Sequence, residues 1–98
     1  MAQLTVLYWR DIPAQVIAGK GRRAAKAVLP ERFEQAIDRC AMRVGARDSD
    51  AYLAEWRRAG PHEVPGDDAE AAAAEAARLA AAYDDARLRR LIDNDGRE

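Results

Sequence analysis

Cysteine and histidine are almost missing from this chain of 98 residues, which carries one of each. A lone Cys40 can form no internal disulfide, no CxxC redox pair and no thiolate zinc site, so the composition points to the reducing cytoplasm. His62 stands between Pro61 and Glu63, in a loop pattern rather than a helical HExxH arrangement. It reads as a solvated loop residue, and neither a metal nor a cofactor is expected. Long apolar runs are also lacking: none approaches the roughly 20 residues of a membrane span, and the start shows no charged segment leading into an apolar core and cleavage site. A soluble protein away from the membrane is expected. There is no GxSxG elbow and no GxGxxG loop, and GKGRR, from Gly19 to Arg23, lacks the GxxxxGK[ST] spacing, so it reads as a solvated basic turn. The adjacent carboxylates Asp67/Asp68 and Asp84/Asp85 point in different directions on a helix, which makes neither pair a ready acid/base dyad. These absences lean against an enzyme.

What is present fits a single domain spanning residues 1–98, since a chain this short buries only about two thirds of its unfolded surface. Hydrophobic residues make up 49% of the chain, but many are alanine and contribute little area each. The core must therefore rest on the larger side chains between Leu4 and Ile17, with Val28, Leu29, Phe33, Ile37, Val44, Tyr52, Leu53, Trp56, Leu79 and Tyr83.

The formal net charge of −1 conceals two unlike halves. Through Arg47 there are nine basic residues against four acidic ones, and beyond it seven against thirteen. Mutual neutralisation within the fold is favoured over a basic face for a polyanion, so nucleic acid is a disfavoured partner.

From Leu4 to Trp9 every residue is apolar or β-favouring on both alternating faces, which predicts a strand covered on two sides. Asp11, Ile12 and Pro13 interrupt it, and Ala14 to Ala18 reads as the return arm of a hairpin. Pro30 suits a first helical position, and Phe33, Ile37, Cys40 and Val44 form one stripe of an amphipathic helix that ends near Gly45. Cys40 lies mid-stripe and reads as a small buried hydrophobe. Asp48 to Asp50 can cap a helical turn leading into an extended piece that ends near Val64, although Tyr52, Ala54 and Trp56 also alternate like a strand. Pro65 and Gly66 mark a turn, and Asp67 followed by Glu70 opens a long alanine-rich helix. Its stripe of Ala72, Ala76, Leu79, Tyr83 and Ala86 switches sides near Asp84. Either the helix breaks there and folds back, or Leu88, Leu91 and Ile92 form a patch for a partner. The fold class is α+β: an N-terminal hairpin packed on an amphipathic helix, a short extended segment and a long C-terminal helix.

The densest stretch is YWRDIPAQ. Tyr8 and Trp9 can pack on opposite faces of the sheet while Arg10 and Asp11 serve as turn charges. Alternatively, Trp9, Arg10 and Gln15 cluster at the hairpin mouth, where an aromatic plane, a guanidinium and an amide could hold a planar or anionic ligand or a partner's backbone. On that second reading Arg10 matters more for binding than for folding.

The same residues carry a family resemblance. The segment from Leu4 to Val44, through Tyr8, Trp9, Arg10, Asp11, Ile12, Pro13 and Gln15, then Gly21 and Arg22, then Arg32, Phe33, Ala36, Ile37 and Asp38, resembles the small bacterial domain family called virulence factor. That family occurs as a short stand-alone proteobacterial protein and within the longer conserved virulence factor C proteins. Cys40 stands where similar sequences carry alanine, and Pro30 where a serine cap is usual. The resemblance implies a role in pathogen phenotype and an accessory role beside folate and corrinoid methyl-transfer proteins, with no catalytic residue to carry over.

Together these readings lead to a non-enzymatic cytoplasmic accessory or protein-interaction domain, with homo-oligomerisation compatible. The expected binding residues are Tyr8, Trp9, Arg10, Asp11, Gln15 and Arg22, with Leu88, Leu91 and Ile92 as a second patch. The alternative is a small-ligand or cofactor-binding enzyme subunit using the Trp9/Arg10/Gln15 edge.

Overall fold

A computed structural model describes residues 2–45 and 50–98. Four strands, β1 (Ala2–Trp9), β2 (Ile12–Ala18), β3 (Ala25–Val28) and β4 (Trp56–Val64), form one antiparallel sheet in the order β3-β2-β1-β4. The helices are α1 (Glu31–Arg43), the short α2 (Asp50–Ala54), α3 (Asp68–Ala82) and α4 (Asp85–Asp93). The α+β class is as expected, with one correction and two additions. The return arm begins at Ile12 rather than Ala14, because Ile12 and Pro13 pair with Trp9 and Tyr8 ahead of the bulge, and the turn is Arg10–Asp11 alone. β3 follows the basic turn, and the extended piece around Trp56 is a full nine-residue strand paired to β1.

β1 is central, but it is not covered on both sides. Ala2, Leu4 and Val6 are buried against Ala71, Ala72 and Leu79 of α3, which lies across β1, β2 and β3, while the alternate Gln3, Thr5 and Leu7 are only half-buried. The apolar character of Leu7 suggested a second cover. In the fold only the hairpin end of that outer face receives one, from Tyr52 against Trp9 and from α1 beside Gln15. Two bulges adjust the register, one at Ala14 in β2 and one at Gly60–Pro61 in β4. Gly60 sits at φ +111°, and a Cβ there would stand 2.5 Å from the Leu4 carbonyl oxygen, so this bulge admits glycine alone.

Pro30 is the residue just before the first turn of α1, one position earlier than the sequence suggests, and the helix buries Phe33, Ala36, Ile37, Cys40 and Ala41 along its expected stripe. The cap expected at Asp48 to Asp50 falls partly outside the described residues; Asp50 begins α2. Asp67 caps α3 by accepting a hydrogen bond from the Glu70 amide at 2.8 Å.

The long C-terminal helix is two helices. Asp84 ends the first and caps the second, accepting from the Arg87 amide at 2.8 Å, and the chain turns so that Leu88 and Leu91 enter the core at 3% and 2% exposure. The partner patch expected at Leu88, Leu91 and Ile92 is therefore core, with Ile92 half-buried beside it. The physical reason is the switch of apolar face: a broken helix can bury both stripes, and a straight one can bury only one. α1 and α4 run side by side in the same direction, with Arg32 3.6 Å from Asp85 near their starts and Arg43 3.2 Å from Asp95 near their ends.

Leu91→Ala should lower stability by about 2–5 kcal/mol, as for a large-to-small change in a packed core, read by denaturant unfolding. Cys40 is fully buried, and burial raises its thiol above the ordinary value of 9.0, against a smaller opposing pull from Arg10. A folded value above the unfolded one means that this contribution to stability is intact below pH 9 and is lost as pH rises through the folded value. Native protein should resist thiol alkylation at pH 9 and react readily once unfolded, while Cys40→Ala should cost no more than about 1–2 kcal/mol.

Candidate functional site

The tight β1–β2 turn dictates where the YWRD residues go. Neighbours on a strand point to opposite faces. Tyr8 therefore lies on the helix side, with the Arg57 guanidinium 4.5 Å above its ring, and Trp9 on the other, completely buried. The indole N–H of Trp9 donates to the Tyr52 carbonyl at 2.9 Å, and its ring stands 5.7 Å from that of Tyr52, which in turn meets Trp56 edge-on at 6.0 Å.

Arg10 occupies the left-handed region at φ 55°, so the turn directs both its amide and its side chain away from the strand ladder. The amide donates to the Glu55 carbonyl at 3.1 Å. The guanidinium lies 5.2 Å over Trp9, donates to the Asp95 carbonyl, and brings Nε 3.3 Å from the Glu55 carboxylate, without the alignment of a hydrogen bond. Asp11 donates its amide to the Gly96 carbonyl at 2.8 Å and accepts from the Glu98 amide at 2.7 Å and Arg57 Nη2 at 3.1 Å. These charges bind the hairpin to the C-terminal segment. The arginine expected to face a partner is held to this chain by one donated hydrogen bond and the Glu55 charge, because a polar turn at the end of a buried strand needs partners of its own.

Gln15 lies elsewhere. With Ala14, Val28, Leu29, Glu34, Ile37, Asp38, Tyr52 and Trp56 it lines a groove of about 320 Å³ between α1 and the outer face of the sheet. Val28, expected in the core, lines this groove at 76% exposure because it stands on edge strand β3; Leu53 of α2, also expected in the core, is 66% exposed and lies outside the lining. Arg22 sits apart on an exposed 3₁₀ turn, Gly21–Arg23. The structure thus joins Trp9, Arg10 and Asp11 in one corner, with Tyr8 tied to it through Arg57, and leaves Gln15 and Arg22 outside it.

Glu55, Arg57 and Gly96 complete the corner and carry no motif that pairs them with the hairpin. The Asp95-Gly96 dipeptide alone gave a signal: both residues have positive φ, 58° and 81°, the geometry that such a turn favours. A Cβ on Gly96 would stand 3.0 Å from both Arg10 Cδ and Cys40 Sγ. Among the described residues no cluster of three or more His, Cys, Asp or Glu could hold a metal ion. No helix of the described residues is long and apolar enough to cross a membrane.

Two substitutions measure the corner. Gly96→Ala should destabilise by about 1–3 kcal/mol, combining left-handed strain with contact on Arg10 and Cys40, and in a Cys40→Ala background it should cost less by the Cys40 share of that contact alone. Arg10→Ala should cost about 1–3 kcal/mol and speed hydrogen exchange at the Gly96 end of the chain, as for loss of a hydrogen bond from a charged group.

No curated protein and no solved structure matches this chain at a significant level. A family model does: the one described as Virulence factor matches residues 7–92, from the end of β1 through the buried turns of α4. The matched span holds the YWRD turn, the groove and both halves of the broken helix, and the chain belongs to the Virulence factor family.

Proposed function

We propose that this domain is a non-enzymatic accessory that works in the cytoplasm by binding a protein partner through the groove between α1 and β3. The observation that carries the reading is the juxtaposition of strongly exposed Val28 with the half-buried Tyr52 and Trp56 around one concavity. Aromatic anchors beside an open apolar rim are the composition of interface hot spots, and Gln15 can fix a partner's backbone. Glu34 and Asp38 on the α1 side add negative charge to the lining. The segment that suits this groove is therefore apolar with a basic residue at one end. A cytoplasmic setting is supported by the single buried thiol, and a partner among folate- or corrinoid-dependent methyl-transfer proteins by the family resemblance.

Val28→Glu replaces an exposed residue, so it should leave the melting temperature within a degree or two while removing the partner. With p-benzoylphenylalanine placed at Gln15 in the native cells, photo-crosslinking should yield one dominant adduct that Val28→Glu abolishes and Arg23→Glu leaves intact. An adduct unaffected by Val28→Glu would sink the groove as the binding surface, and an adduct of twice the chain's own mass would make the partner a second copy.

A further inference from the structure

The outer face of the sheet holds a second concavity, at the opposite end from the groove. It is a basin of about 500 Å³ whose floor includes Thr5 and Ile17 and whose walls include Lys20, Lys26 and Arg58. The register explains the convergence. Lys26 pairs with Ile17 and Ile17 with Thr5, so the three stand in one row across β3, β2 and β1, and Arg58 projects from β4 in the next row, opposite Leu7. Lys20 adds a third cation from the turn after β2. All three are exposed, and no ion pair or hydrogen bond engages their side chains among the described residues. Arg10, Arg32, Arg43 and Arg57, by contrast, each meet a carboxylate. Two acids border the basin without entering its lining: Asp68 lies under Gly19, and Glu63 accepts from Gln3 Nε2 at 3.3 Å.

We infer that this basin binds a small molecule carrying two or more linked phosphate groups, held by Lys20, Lys26 and Arg58 above Thr5 and Ile17. Neighbouring strands lie about 4.8 Å apart, so β3 and β4 are separated by roughly 14 Å, a span that long lysine and arginine arms can close over a linked pair or triplet of phosphates but not over one. Thr5 supplies a hydroxyl on the floor, and Ile17 a flat apolar surface. A single-stranded nucleic acid is the competing occupant of a basic sheet face, but such sheets hold bases by stacking on aromatic rings, and none lines this basin. Its polar groups are spaced for a compact anion, while its floor has no aromatic ring for a base to stack on.

The test uses inorganic tripolyphosphate as the probe, by calorimetry and by amide chemical shifts of the full chain at low ionic strength. Saturable binding is expected, with shifts centred on Thr5, Ile17 and Lys26, and with pyrophosphate weaker and inorganic phosphate weakest. Lys26→Ala and Arg58→Ala should each weaken tripolyphosphate roughly tenfold, the consequence of losing one hydrogen bond to a charged group, whereas Arg22→Ala and Arg23→Ala on the adjacent turn should change it less than about twofold. Unaltered spectra of the free variants would show that they remain folded. The inference is overturned if tripolyphosphate gives no saturable binding, if the Arg22 and Arg23 variants weaken it as much as the basin variants, or if a short single-stranded oligonucleotide binds more tightly than tripolyphosphate at the same salt.

Discussion

The closure of the β1–β2 turn by the C-terminal segment is the constraint on which the rest of the arrangement depends. A buried strand that ends in a polar turn leaves backbone groups needing partners. Here they find them in Glu55 and Gly96, with Arg10 and Asp11 reaching to Asp95 and Glu98. Because Gly96 follows directly on α4, the same contacts fix the end of that helix against α1. Trp9, held by the Tyr52 carbonyl, fixes α2 and the start of β4 from the other side of the turn. One corner thus positions three segments that are far apart in sequence.

Part of the charge asymmetry of the chain is met by this arrangement. Arg10, Arg32 and Arg43 from the basic half meet Glu55, Asp85 and Asp95 from the acidic half. Exposed pairs of this kind contribute only about 0–1 kcal/mol each, so their main effect is to choose which way the halves dock. Among the described residues, the cations left without an ion pair are Lys20, Arg22, Arg23, Lys26 and Arg58 around the turn after β2 and the sheet face beside it, and Arg39, Arg89 and Arg90 on α1 and α4.

The one-sided cover of the sheet explains why both concavities lie on the same face. α3 occupies the inner side of β1, β2 and β3, and its small alanines let it approach closely. The remaining helices gather at the hairpin end. The outer face is then left with an apolar groove where α1 and α2 overhang it and a basic basin where nothing does.

Local chemistry alone settled the elements whose partners lie within a few residues. The stripe of Phe33, Ile37 and Cys40, the cap at Asp67 and the switch of apolar face near Asp84 all follow from periodicity and capping, which depend on short-range geometry. The class of fold and the burial of Cys40 follow from the same patterns. Contacts between distant segments had no such signal. That Leu7 would face a half-open surface, that Ala25 to Val28 would become a strand, and that Arg10 would be turned inward depended on where α3, β2 and the Gly96 segment docked. The groove also required the overhang of α1 to bring Ile37 and Asp38 beside Gln15. A residue's type and spacing specify what it can bind, but which partner it meets is decided by packing across the whole chain, where the buried apolar area outweighs any single polar preference.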